Sequence, residues 1–206
     1  MKIICELILL YLVSSHTGFD AADPISDSNF QCFINSGYDF VIFRGYRSNG
    51  QVEPSACDNL NKAQKAGISN RNVYLFHCVP CGNPTNQVNT MINALSGCPY
   101  DRIFLDIEQF QWKTKDQNRV FVTGLIDALI NAKSECHIYT NKSQWETLFG
   151  LDFTYGSKCK LWYARWNGVP DFSDFQPFSG WAQAEMKQYE ANKLICSTDI
   201  DINYSP

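Results

Sequence analysis

The chain has 206 residues, 45% of them hydrophobic, enough for one sizeable core and one domain. Its net charge is −4 and no basic stripe appears, which excludes nucleic acid and anionic membranes as expected partners. Nine cysteines in a chain of this size point to disulfides and export rather than to a reducing compartment.

The first residues read as a leader. Lys2 supplies a positive start, and "LILLYLV" (Leu7 to Val13) is apolar but too short to span a bilayer. Small and polar residues follow in "SSHTG", so cleavage is expected between residues 15 and 18, giving a signal peptide over 1–17 and one mature domain over 18–206. Cys5 would leave with the leader, and eight cysteines would remain for up to four bridges. "CVPC" (Cys78 to Cys81) has zinc-like spacing, but no second close Cys or His pair completes a tetrahedron, and His77 reads as a packed histidine. No metal or cofactor is expected.

Strand-like and helix-like segments then alternate. A first strand ends at "GFDA" (Gly18 to Ala21). A helix follows with Ser26 or Asp27 as cap, Phe30, Phe33 and Ile34 on one face, and Gly37 as stop. "DFVIFRGY" (Asp39 to Tyr46) is a second strand, and the stretch from Ser55 to Ala66 a second helix closed by Gly67. "NVYLFHC" (Asn72 to Cys78) is the third strand. A helix from about Thr85 carries Val88, Met91, Ile92 and Leu95 at helical spacing. "RIFLDIEQF" (Arg102 to Phe110) is the fourth strand, Lys115 to Lys133 the longest helix, "CHIYTN" (Cys136 to Asn141) the fifth strand, and Ser143 to Gly150 a short helix.

After that the helices stop. "KLWYARWN" (Lys160 to Asn167), "EMKQYE" (Glu185 to Glu190) and "TDIDINY" (Thr198 to Tyr204) read as three strands joined by loops. Five βα units and three further strands predict a parallel sheet of eight, closed as a shortened TIM-like (β/α)5(β)3 barrel. The first turn lacks the glycine fingerprint of a doubly wound nucleotide-binding sheet, which makes that alternative fit less well. Chemistry is then expected at the C-terminal ends of the strands.

Strand alternation puts Ile103, Leu105 and Ile107 on the helix side and Phe104, Asp106 and Glu108 on the lumen side. Asp20 closes the first strand, and "DIDIN" puts Asp199, Asp201 and Asn203 on one face. Closure of the barrel would bring Asp20 beside Asp201, across the mouth from Asp106 and Glu108. Acids crowded in a cavity raise one another's pKa, and a carboxyl kept protonated beside ionised ones is what glycosidic cleavage needs. Solvated strand-end acids, or ligands for Ca²⁺, are the bland alternatives. Flat rings near such acids suit sugar faces, and Tyr139 and Trp166, at strand ends, are the aromatic candidates.

The ordered set "GFDAAD", "FLDIE", "KLWYARW", "KQY" and "DIDIN" resembles the glycoside hydrolase family 25 lysozymes, and "RGYRSNGQVEP" and "PDFSDFQPFSGW" resemble their nematode and amoebal branch. The resemblance implies cleavage of the β-1,4 bond between N-acetylmuramic acid and N-acetylglucosamine in bacterial peptidoglycan. It implies Glu108 as general acid, Asp106 orienting the acetamido group or stabilising an oxazolinium-like intermediate, and Asp20 and Asp201 tuning Glu108 and holding substrate or water. Gln188, Tyr139 and Trp166 are then expected to bind substrate. A monomer, secreted and extracellular or in secretory or lysosome-like vesicles, with a defensive or digestive role, is expected. Two rivals stand beside it: a secreted glycan-binding or immune-signalling barrel with weak or lost turnover, and a chitin-directed hydrolase. All four acids are present, which favours turnover, and Phe104 stands where a chitinase strand would carry another Asp.

Among the cysteines, Cys98, Cys136 and Cys159 each precede a strand, so a bridge between two of them is expected. Cys32 and Cys196 would tie the first helix to the last strands. The sequons at Asn141 and Asn203 accord with secretion, and no glycan is expected on Asn203, which shares the inward face with Asp201.

Overall fold

The computed structural model describes residues 15–206. Eight strands close in sequence order into one barrel: β1 (His16–Ala21), β2 (Phe40–Tyr46), β3 (Asn70–Phe76), β4 (Arg102–Asp106), β5 (Cys136–Thr140), β6 (Lys160–Ala164), β7 (Met186–Ile195) and β8 (Thr198–Ser205). Five helices connect the first six strands: α1 (Asp27–Asn35), α2 (Ala56–Ala66), α3 (Pro84–Ala94), α4 (Lys115–Asn131) and α5 (Lys142–Phe149). Their starts are written in side chains. Ser26 accepts from the Asn29 amide, Thr114 and Gln117 form a reciprocal capping box, and Asn141 accepts from the Gln144 amide.

The expected barrel is therefore present, with one difference of direction. Six strand pairs from β1 to β7 are parallel, but β8 runs antiparallel to both β7 and β1. The cause is the connection. Cys196 and Ser197 alone join β7 to β8, at φ 51 and 57, and a two-residue turn with both residues left-handed makes a hairpin. The fourth strand is also shorter than expected, pairing as far as Asp106, after which only the Ile107 amide reaches across to the Tyr139 carbonyl at 3.0 Å.

Alternation divides the apolar side chains into two cores. Phe19, Val41, Val73, Ile103, Leu105, Ile107 and Ile138 face the helices, while Phe40, Ile42, Phe104, Trp162, Ala164 and Met186 fill the lumen. Gly18 makes room for that filling, since a Cβ there would sit 2.3 Å from the Phe40 ring. The lumen is packed at its floor, so open space remains only toward the mouth.

Four disulfides pair Cys32 with Cys196, Cys57 with Cys98, Cys78 with Cys81, and Cys136 with Cys159. The bridge from α1 to the β7–β8 turn and the one between β5 and the residue before β6 match expectation; Cys98 instead meets Cys57 at the start of α2. The expected leader over 1–17 lies largely outside the described residues, as does Cys5. Of its described part, His16 and Thr17 already belong to β1, paired with Ser205 and Tyr204. Among the described residues, no helix is long and apolar enough to cross a membrane.

Candidate active site

Register brings the acids together. Asp20 pairs with Asp201 across β1 and β8, Asp106 with Tyr139 across β4 and β5, and Ala164 with Gln188 across β6 and β7. All seven expected residues, Asp20, Asp106, Glu108, Asp201, Tyr139, Trp166 and Gln188, line one cavity of about 190 Å³ at the barrel mouth.

Gln188 is the hub of this cavity. Its amide nitrogen donates to Asp20 at 2.8 Å and to Asp201 at 3.2 Å. Its amide oxygen accepts from the Tyr139 hydroxyl and the Trp166 indole, both at 2.6 Å. It is buried, and both ends of its amide are engaged by the wall. A second amide does similar work below it. Asn203 donates to Asp20 at 2.7 Å and accepts from the Trp162 indole at 2.8 Å. Trp166 keeps an open ring, with 60% of the residue exposed.

The electrostatics follow from crowding with few counter-charges. Burial first, and then the charge of Asp201, push Asp20 up to about 8 against the hydrogen bonds from Asn203 and Gln188. Burial also raises Asp106 well above the usual carboxylate range, aided by the charge and hydrogen bond of Glu108. Glu108 is raised by burial, with the Asp106 hydrogen bond opposing and the Asp201 charge adding. Asp201 is raised by burial against the Asn192 amide, which donates to it at 2.7 Å. Asp106 and Glu108 are thus both held above the usual carboxylate range, by burial first and by one another's nearness. Of the two, Glu108 lies nearer solvent, and Asp106 keeps its buried Oδ1 without a hydrogen-bond partner. An orphan acceptor at a cavity wall is a place for a donor on a ligand.

Glu108 sits beyond the last paired residue of β4, so other groups must fix it. His77, just past β3, sets its ring nitrogens against the carbonyls of Asp106 at 3.0 Å and Phe110 at 3.2 Å. Trp112 packs on the His77 ring at 4.2 Å between centroids and donates its indole N–H to the Glu108 carbonyl at 2.5 Å. His77 is the packed histidine expected from sequence, with burial pulling its pKa down against those two carbonyls. What it packs against is the segment that carries Glu108.

Sequence reasoning did not select Tyr74, Ala191 or Asn192 among the cavity residues, and it weighed Trp162, on the face of Trp166, without choosing it. Tyr74 was within reach, because alternation from Asn72 points it inward. Asn192 was not: it lies where β7 shifts register against β8, with a φ of 55 that no local pattern announces.

A family model described as Lysozyme-like protein 1 matches residues 13–189. The chain is 38% identical over 213 residues to a probable GH family 25 lysozyme 2 of Dictyostelium discoideum, covering all of both chains. It is 31% identical over 215 residues to lysozyme-like protein 5 of Caenorhabditis elegans, again covering all of both. In fold it is similar to a family GH25 lysozyme from Aspergillus fumigatus, with a TM-score of 0.77, 18% identity and 94% of each chain covered.

Proposed function

Since the chain belongs to the family 25 glycoside hydrolases as a lysozyme, we propose that it is a secreted muramidase cutting the β-1,4 bond between N-acetylmuramic acid and N-acetylglucosamine in bacterial peptidoglycan. The observation that carries this reading is the gathering of Asp20, Asp106, Glu108 and Asp201 in one cavity at the barrel mouth, where burial raises all four. Glu108, more exposed than Asp106, delivers its proton to the leaving oxygen as the C1–O bond breaks, and water then bonds to C1 and gives its proton to a carboxylate of the cluster. Asp106, through its unpartnered oxygen, receives the acetamido N–H of the muramic acid ring and steadies the positive charge that develops there. Gln188 and Asn203 hold Asp20, and Gln188 also holds Asp201, so that both line the cavity on the side opposite Glu108's loop. The exposed Trp166 ring offers a sugar face its platform.

Four disulfides support an extracellular or vesicular setting, where the protein acts as a monomer in antibacterial defence or digestion. The experiment is clearance of purified bacterial walls, with new reducing ends identified by borohydride reduction. Reduced muramic acid supports the reading. Reduced glucosamine alone, or no clearance from protein with intact disulfides, would remove it.

A further inference from the structure

Lys187 is a lysine with no exposed surface, on the face of β7 opposite the acid-lined cavity. An ammonium group loses its hydration when buried, so a lysine is almost never fully enclosed unless it is paired. Strand alternation turns its neighbour Gln188 into the cavity and Lys187 away from it, and Lys187 does not line that cavity. A buried ion pair is a weak source of stability. What this one holds is the segment that carries Trp166.

No helix follows β6, so residues 165–185 reach β7 without the support that a helix gives the first five connections. Side chains supply it instead. The Lys187 ammonium donates to the Asp171 carbonyl at 2.8 Å and to Asp174 Oδ1 at 2.9 Å, and it lies 5.9 Å from the centroid of the Tyr163 ring. Burial works to raise the pKa of Asp174, but the hydrogen bond and charge of Lys187 overcome it and keep the carboxyl below its ordinary range. The second oxygen of Asp174 accepts from Arg165 Nε at 3.1 Å and from the Asn167 side-chain amide at 3.2 Å. Those two residues flank Trp166 in the chain. The indole of Trp166 is held separately, by Gln188. Adjacent residues of β7 thus grip one tryptophan from opposite faces of the sheet, Gln188 by its ring and Lys187 by its backbone.

We propose that Lys187 is a positioning residue for substrate binding: through Asp174 it fixes the chain on both sides of Trp166 and so sets the exposed ring where a sugar face stacks on it. This inference rests on the muramidase reading, which makes Trp166 a platform. A ring on a surface segment loses binding energy to its own mobility unless it is ordered before the sugar arrives. Stacking acts in the ground state and the transition state alike, so loosening the ring raises KM and leaves kcat in place. A leucine or methionine at 187 would fill the space without desolvating a charge, but it would not direct Asp174.

The test is a double-variant cycle of Lys187→Met and Trp166→Ala, read as KM and kcat on soluble peptidoglycan fragments. Lys187→Met should raise KM by about fivefold, the size of one aromatic contact, with kcat within about twofold of wild type. In the Trp166→Ala background the same substitution should add nothing, because the ring it serves is gone. Arg165→Ala combined with Asn167→Ala spares the buried pair and cuts only its link to Trp166. It should give the same rise in KM, and it decides the question if Lys187→Met does not fold. A second readout needs no turnover. The indole N–H resonance of Trp166, identified by its loss in Trp166→Phe, should shift in Lys187→Met. Those of Trp145 and Trp181, bonded to the Phe153 and Cys159 carbonyls, should stay in place. A folded variant with wild-type KM, an equal rise in KM with and without Trp166, or an unmoved Trp166 resonance overturns the assignment. A wild type that cuts no wall removes the muramidase reading, and the indole resonance then decides whether Lys187 positions Trp166.

Discussion

Two regions of this molecule bury carboxyl groups, and they treat them in opposite ways. Glu53, 4% exposed beside the end of β2, receives Arg44 at 2.9 Å and Arg47 at 2.6 Å, with the Ser55 hydroxyl at 3.1 Å. Burial works to raise its pKa, but hydrogen bonds and charge from the arginines win and hold it at about 2. Asp20, 8% exposed at the mouth, has two neutral amides and an acidic neighbour, and is pushed up to about 8. The burial is similar and the group is the same. Only the partners differ, and they separate an acid that holds the fold together from one kept for protons and ligands.

That contrast can be broken most decisively at Glu108. Glu108→Gln should cost about 10²–10⁴-fold in wall lysis while leaving the unfolding midpoint in place, since the amide keeps the shape and loses the proton. Turbidity clearance beside a denaturant titration checks both halves. Substantial residual lysis would take Glu108 out of its role.

The mirror experiment is Glu53→Gln, which should cost stability by about 2–3 kcal/mol, discounted from the fully buried case because Arg44 and Arg47 are partly exposed. The sign has a pH signature. A depressed carboxyl stabilises the fold above its unfolded pKa near 4.5, and that contribution fades as pH falls toward about 2. The gap between variant and wild type in urea midpoint should therefore close across that window. A gap independent of pH would mean the pair acts by packing alone.

At the mouth the sign reverses. Asp20 binds its proton more tightly folded than unfolded, so its ionisation subtracts stability as pH rises from about 4 to about 8. Asp20→Asn should leave the melting temperature near wild type at pH 3. At pH 8 it should raise stability by about 1–2 kcal/mol, because the amide keeps the shape and has no charge to bury. A variant destabilised at both pH values would show that the carboxylate itself, through Asn203 and Gln188, is structural.

The smallest effect joins the two regions. Lysis should peak on the acid side of neutrality, rising as Asp106 and Glu108 gain their proton and falling when the helper acids are neutralised. Arg44 already lowers Asp106 by its charge while pairing with Glu53. Glu53→Gln leaves that charge uncompensated, so the alkaline limb of the lysis profile should move down by less than about one pH unit. An upward shift would show that Arg44 does not reach the mouth.

Much of the site was legible because strand alternation is a local rule. Once Asp106 and Glu108 stood two apart at the end of an apolar run, Asp20 closed the first strand and Asp201 faced inward on the last, a closed barrel brought them to one cavity. Tyr139 and Trp166 were legible as rings at strand ends, but not the Gln188 that fixes their polar tips, a contact between residues 49 and 22 positions apart. His77 was legible as packed, but not as the anchor of the Glu108 segment, since it reaches 29 residues along the chain to the Asp106 carbonyl.

The order of elements, the inward and outward faces, the helix caps and the inward placement of the four acids were determined by the sequence, because each depends on neighbours a few residues away. The tertiary structure decided three further things: the antiparallel direction of β8, the pairing of Cys98 with Cys57, and the division of buried carboxyls into paired and unpaired. Glu53 and Asp20 look alike in the chain. What tells them apart is whether folding brings an arginine within about 3 Å, and that distance is set by how β2 and its loop pack, not by any residue beside either acid.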